Sequence, residues 1–341
     1  MGIVVATHAA ISFMVTPIGW AIQDRSRSLG VDALVWTIRA FIMPLFFWLS
    51  GYFARTVYLR GGYRGFIRHR VRRIIAPLAL ALVPMSIAVE ALWRWGAAHA
   101  ARPEVAAEIP KLEASRLPLT LGHLWYLYYL LIVSAAAIVV VEGSRRTRVR
   151  AIDARAIIPV VTAVTVTPLV VAGVLQLDTP LGFGLDPGVA LYFAAFFAWG
   201  WMVHARPVQL ERYVSFAWVS TGAAVLLLAT IVPTLLATAH ASGGRAPLYA
   251  ILATGALTVA LTIAFLGLCV RYARRRHRAI EAAADASYWT YVVHFPLVIL
   301  LQIALASVPW PGPVKYLVIV GVTLVTCALG YAAIRAASLI R

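Results

Sequence analysis

The chain has 341 residues, 62% of them hydrophobic and only 13% charged, with a mean hydropathy of +0.85. A soluble domain is nearer half apolar and a quarter charged, so lipid must solvate most of this surface; a cytosolic enzyme, a disordered regulator and a secreted disulfide scaffold are excluded. The balance of 30 Lys and Arg against 13 Asp and Glu, net +17, suits the basic cytoplasmic loops of a membrane protein rather than nucleic-acid binding.

Apolar stretches recur to the end of the chain. They predict membrane helices at 2–22, 36–54, 74–93, 121–141, 157–175, 188–203, 214–236, 247–270, 287–307 and 316–337, each near the ~20 residues needed to cross a bilayer. The expectation is an all-α, polytopic integral membrane protein of about ten transmembrane helices, one transmembrane domain over 1–341. The N-terminus has no basic region and no small-residue cleavage site, so it reads as the first membrane helix rather than a signal peptide. No low-complexity tract, internal repeat or separate soluble domain is visible, and the longest outer loop is 94–120. Cys269 and Cys327 lie inside apolar runs and read as packing residues.

The basic residues define a topology. Loops after the second, fourth, sixth and eighth spans, with the C-terminal end, carry 21 of the 30 Lys and Arg, and the opposite side carries 9. The richer side faces the cytoplasm, which puts both termini there.

Polar residues inside spans are costly and are candidates for function. His8 in the first span would sit about 12 Å from the cytoplasmic end at ~1.5 Å per residue, with Trp20 at the outer interface. A neutral imidazole there can take a proton from a hydroxyl nucleophile; a hydrogen-bonded structural histidine fits the position equally well. Ser50-Gly51 ends the second span as a small pair that permits close backbone approach. The run Arg64 to Arg73 follows, either an anchor on anionic lipid or a phosphate site built from guanidinium forks. His123, Trp125, Tyr126 and Tyr128 open the fourth span at the outer face, as an interfacial aromatic belt or a sugar-stacking wall. Ser287, Tyr291 and His294 share one helix face. His294, seven residues in and about 10 Å deep, can meet His8 at similar depth, or Tyr291 and His294 can satisfy each other beside a kink at Pro296. No CxxC metal pair and no GxxxxGK[ST] loop is present.

Together these segments resemble the acyltransferase 3 family of ten-helix integral membrane acyltransferases. VVATHA resembles its first-span histidine block. FFWLSGYFARTVYLRGGYRGFIRHRVRRIIAP resembles its second block, nearest to the periplasmic-glucan succinyltransferase branch, with the family's RxxR matched by Arg70 and Arg73. HLWYLYYLL and SYWTYVVHFPL resemble two further blocks, in the same order. The family carries an arginine eleven positions before its first-span histidine; only seven residues precede His8 in this sequence, so either its start is late or the arginine is lacking.

The resemblance implies acyl transfer from a cytoplasmic acyl-CoA, such as acetyl-CoA or succinyl-CoA, to a hydroxyl of an extracytoplasmic glycan. The acyl-CoA would be a co-substrate, with no tightly bound cofactor and no metal, and the setting would be the inner membrane. In this reading His8 is the general base or the relay that receives the acyl group, and His294 with Tyr291 orients the base or the thioester carbonyl. Arg70 and Arg73, with Ser50, hold the donor; His123, Trp125 and Tyr126 line the acceptor side. The rival reading is a transporter or flippase for a small anion or lipid-linked sugar. Carriers usually place acids in mid-span, whereas the clearest acid inside a span here, Glu90, lies near a helix end.

Overall fold

The computed structural model describes residues 1–16, 18–99, 119–147, 156–205, 207–240, 245–272 and 278–339. The outer-loop residues 100–118 and the basic residues Arg148, Arg150, Arg155, Arg206, Arg274, Arg275, Arg276 and Arg341 lie outside them. The helices are α1 (Gly2–Ile11), α2 (Leu29–Arg70), α3 (Ala76–His99), α4 (Trp125–Thr147), α5 (Ile157–Ala172), α6 (Pro187–His204), α7 (Pro207–His240), α8 (Leu248–Tyr272), α9 (Arg278–Ala306) and α10 (Gly312–Leu339). Six helical runs among the described residues are long and apolar enough to cross a membrane: Leu29–Ala98, Gly122–Ser144, Leu210–Ala237, Leu248–Tyr272, Ile280–Ala306 and Gly312–Ala337. The protein is an all-α, polytopic membrane protein.

Two expected segments fold differently. The stretch 2–22 is not one continuous helix: α1 stops at Ile11. Pro17 disfavours helical geometry in the residue before it and cannot donate, and Gly19 takes φ 63°. The backbone donors released by this unwinding are met by a buried carboxylate, since Asp32 accepts from Val15 N (2.8 Å), Thr16 N (3.1 Å) and Thr16 Oγ1 (2.9 Å). The second and third expected spans are joined by helix rather than by a loop. The chain breaks at Gly62 (φ 56°, ψ −163°), a conformation open to glycine, and then runs through a π turn at Val71–Ile75 into α3.

The chain divides into two compact units. The first comprises Met1–Trp36, Leu80–His123 and Arg276–Arg341. Here α1 packs against α9 and α10, burying Val5, Ala9 and Phe13 with Val298 and Ile319. The segment after α1 returns over α9, where Ala21 and Ile22 are buried with Phe295, Ile299 and Ile303. A buried ion pair, Lys315 Nζ to Asp24 Oδ2 at 2.7 Å, ties this segment to the start of α10.

The second unit comprises Thr37–Ala79 and Leu124–Arg275. Its α2 and α6 approach reciprocally at small residues. An added Cβ on Gly51 would fall 1.9 Å from Phe197 O, and one on Gly200 would fall 1.9 Å from Trp48 O. Small residues permit such approach where lipid supplies no hydrophobic drive between helices. Helix α6 starts at Pro187 with Asp186 as its N-cap, accepting from Val189 N at 3.0 Å, the arrangement that orphaned N–H groups favour. Helix α5 ends on Gly173 at φ 71°, whose N–H returns to Leu169 O, closing the exposed carbonyls.

Candidate active site

In the first unit, three histidines distant in sequence gather around α9. His294 is fully buried on α9, and its Nδ1 lies 2.9 Å from Thr290 O and 2.8 Å from Tyr291 O. Carbonyl oxygens only accept, so Nδ1 carries the proton and, in the neutral ring, Nε2 is an acceptor. His8 Nδ1 stands 3.0 Å from that Nε2, so it is the donor of the pair. His8 thereby presents Nε2 as its basic nitrogen. The two rings lie nearly parallel, 5.2 Å apart, with Phe295 edge-on to His8 at 5.0 Å.

Pro296 explains the third histidine. With no N–H, it leaves the carbonyl four residues earlier without its helical donor. That carbonyl, Val292 O, meets His123 Nε2 at 2.9 Å. Tyr291 Oη in turn donates to His123 O at 2.5 Å, and the His123 ring stacks on Phe295 at 4.8 Å and stands edge-on to His294 at 5.5 Å. Tyr291 thus bonds to His123 through its hydroxyl and to His294 through its carbonyl.

Trp20 also belongs to this group. A continuous first helix would carry it about 18 Å beyond His8. Because α1 ends early, its ring instead lies 6.2 Å from the His8 ring, so it does not mark an interface remote from the histidine. Its indole N–H reaches Gln302 Oε1 at 2.9 Å.

The second unit holds the remaining candidates. Ser50 Oγ and Tyr126 Oη lie 2.6 Å apart, joining the end of the expected second span to α4. Arg70 is close enough to Tyr126 to interact with it electrostatically. Arg70 is 9% exposed, its guanidinium rests 4.7 Å from the centre of the Phe66 ring one turn back, and its Nε and Nη2 are buried with no hydrogen-bond partner among the described residues. Arg73, three residues on, falls within the π turn and is exposed. Helix packing thus parts the two arginines of the RxxR match. Trp125 packs on Phe193 (5.3 Å) and Phe47 (6.4 Å), and Tyr126 is edge-on to Phe47 at 5.1 Å. The aromatic run therefore divides, with His123 in the histidine group of the first unit and Trp125 and Tyr126 in the aromatic packing of the second.

Gln302 and Phe295 were not singled out by sequence, and Trp20 was read only as an interface marker. Gln302 carried a readable signal: it is polar inside an expected span and lies eight positions after His294, on roughly the same helix face.

The described residues thus hold a hydrogen-bonded histidine pair, His294 buried and His8 half-buried, and, in the second unit, a buried arginine. A family model describing an acyltransferase domain matches residues 1–332. The chain belongs to that family, acyltransferase 3, and is a membrane acyltransferase. No curated protein and no solved structure matches it.

Proposed function

We propose that the protein transfers an acyl group, such as acetyl or succinyl, from cytoplasmic acyl-CoA to a hydroxyl of an extracytoplasmic glycan at the inner membrane, with ten spans and both termini cytoplasmic. The observation that carries the reading is the His8–His294 hydrogen bond with its proton placement.

His8 Nε2 accepts the proton of the attacking hydroxyl. The hydroxyl oxygen bonds to the thioester carbonyl carbon, the carbon–sulfur bond breaks, and His8 returns its proton to the departing CoA thiolate. While His8 is an imidazolium, its Nδ1–H bond to His294 becomes charge-assisted and stronger, which stabilises the transition state more than the ground state. The two backbone carbonyls on His294 Nδ1 hold that ring in the accepting tautomer. Arg70 supplies a buried cation for CoA phosphate, whose fork geometry it fits.

The experiment is mass spectrometry of envelope glycans from cells with and without the gene. One acyl group gained per acceptor unit is expected. Identical glycan masses, with a small anion or lipid-linked sugar accumulating on one side of the membrane, would replace this reading with transport.

A further inference from the structure

Gln302 lies on α9, two turns beyond His294, and is 2% exposed. Three hydrogen bonds tie its side chain to the surroundings of His8. Nε2 donates to His8 O at 2.9 Å and to Ala9 O at 3.1 Å, while Oε1 accepts from Trp20 Nε1 at 2.9 Å.

These bonds answer a need created by the shortness of α1. The last four carbonyls of a helix lack intrahelical donors, and in α1 these belong to His8, Ala9, Ala10 and Ile11. Phe13 N takes Ala10 O at 2.9 Å and Met14 N takes Ile11 O at 3.1 Å. The other two carbonyls are taken by Gln302. The one amide group therefore closes the end of α1 and also holds the indole that lies beside the His8 ring, 24° from parallel to it.

We infer that Gln302 is a positioning residue for His8: it sets the height and rotation of the end of α1 and the place of Trp20, so that His8 Nδ1 stays in line with His294 Nε2. Helix α9 then holds His8 twice, by its ring through His294 and by its main chain through Gln302. Only an amide head group of this length supplies two donors and one acceptor at these places; an ionised carboxylate accepts only, and a thioether donates nothing and accepts weakly. The effect on rate rests on the proposed role of His8 as base, whereas the geometric effect does not.

The test uses the full-length protein in detergent, as Gln302→Met and Gln302→Glu. Ring nitrogens are followed by ¹⁵N-histidine NMR, with His8→Gln and His294→Gln assigning the pair. Acyl transfer is measured with acetyl-CoA and succinyl-CoA offered separately, and with glycan from the expressing cells as acceptor. A misplacement of ~1 Å costs on the order of 10²-fold, so both variants should lose about that much kcat. KM for the donor should stay within about twofold, because substrate contacts are untouched.

The nitrogen signals of the His8–His294 hydrogen bond should be lost or shifted in both variants. Signals unchanged from wild type in either folded variant would overturn the inference whatever the rate. If neither variant folds, Trp20→Phe removes the N–H that Oε1 accepts together with part of the ring beside His8, and it must shift the signals of the His8–His294 hydrogen bond; unchanged signals there overturn the inference too. Shifted signals together with full acyl transfer by His8→Ala would leave Gln302 as the positioning residue and refute the catalytic role of His8 instead.

Discussion

His8 Nδ1 and His294 Nε2 stand 3.0 Å apart across 286 residues of sequence. Because His294 already donates from Nδ1 to backbone carbonyls, the proton between the rings belongs to His8 when both are neutral. The pair is therefore directional: His8 donates and His294 accepts, so in the proposed reaction His8 is the ring that takes the proton.

That direction predicts unequal losses. A positioned base contributes typically ~10²–10⁴-fold, so His8→Ala should remove acyl transfer to that extent with folded protein retained. His294→Ala should cost less, because His8 keeps its basic nitrogen and loses only its partner. Rates measured on equal amounts of folded protein check this; near-normal acylation by His8→Ala would move the base elsewhere.

The two arginines should also part company. Arg70 is buried with two nitrogens lacking partners among the described residues, whereas Arg73 is exposed. Arg70→Ala should weaken CoA binding by about tenfold or more, the scale of a lost charge-assisted hydrogen bond of ~1.5–3 kcal/mol. Arg73→Ala should change it little, as expected of an exposed charge. Binding of labelled CoA to the detergent-solubilised protein would show it. Equal losses would mean that both arginines grip the donor.

The Lys315–Asp24 pair is 2% and 5% exposed, so removing one partner strands a buried charge. Lys315→Met should destabilise the first unit by about 3–5 kcal/mol, while Lys315→Met with Asp24→Leu should recover most of that loss. Thermal unfolding in detergent for the full double-mutant cycle is the measurement. A double variant no more stable than Lys315→Met would contradict the pairing.

At the crossing of α2 and α6, Gly51→Ala and Gly200→Ala each place a methyl 1.9 Å from a backbone oxygen. Backbone cannot step aside as a side chain can, so each should lower stability by ~1–3 kcal/mol, the usual cost of overpacking. The Ser50–Tyr126 contact, one residue from Gly51, should loosen with it. Folded yield and melting temperature report the first effect. Wild-type stability of either variant would show that the helices do not meet there.

Topology is open to a simple check. The 21 to 9 division of basic residues predicts cytoplasmic termini. A C-terminal fusion to a reporter that works only in the periplasm should be silent; an active fusion would break the assignment.

Class and helix positions were legible in the sequence because they are sums over many neighbouring residues. Twenty apolar positions in a row demand lipid whatever surrounds them, and α6 and α8 begin and end within a few residues of the stretches expected for them. The four family blocks, and His8 and His294 as polar residues inside spans, were visible for the same local reason. The early end of α1 was only half visible: Thr16-Pro17 and Gly19 signal a break, but the Asp32 carboxylate that makes unwinding affordable comes from another helix. Tertiary structure alone decided that His123 joins His294 while Trp125 and Tyr126 pack on Phe47 and Phe193, that Arg70 turns inward and Arg73 outward, and that Gln302 caps α1. Each of these is a contact between groups far apart along the chain. Hydropathy and spacing act within one helix, and only the packing of helices brings such groups within the 3 Å at which a hydrogen bond forms.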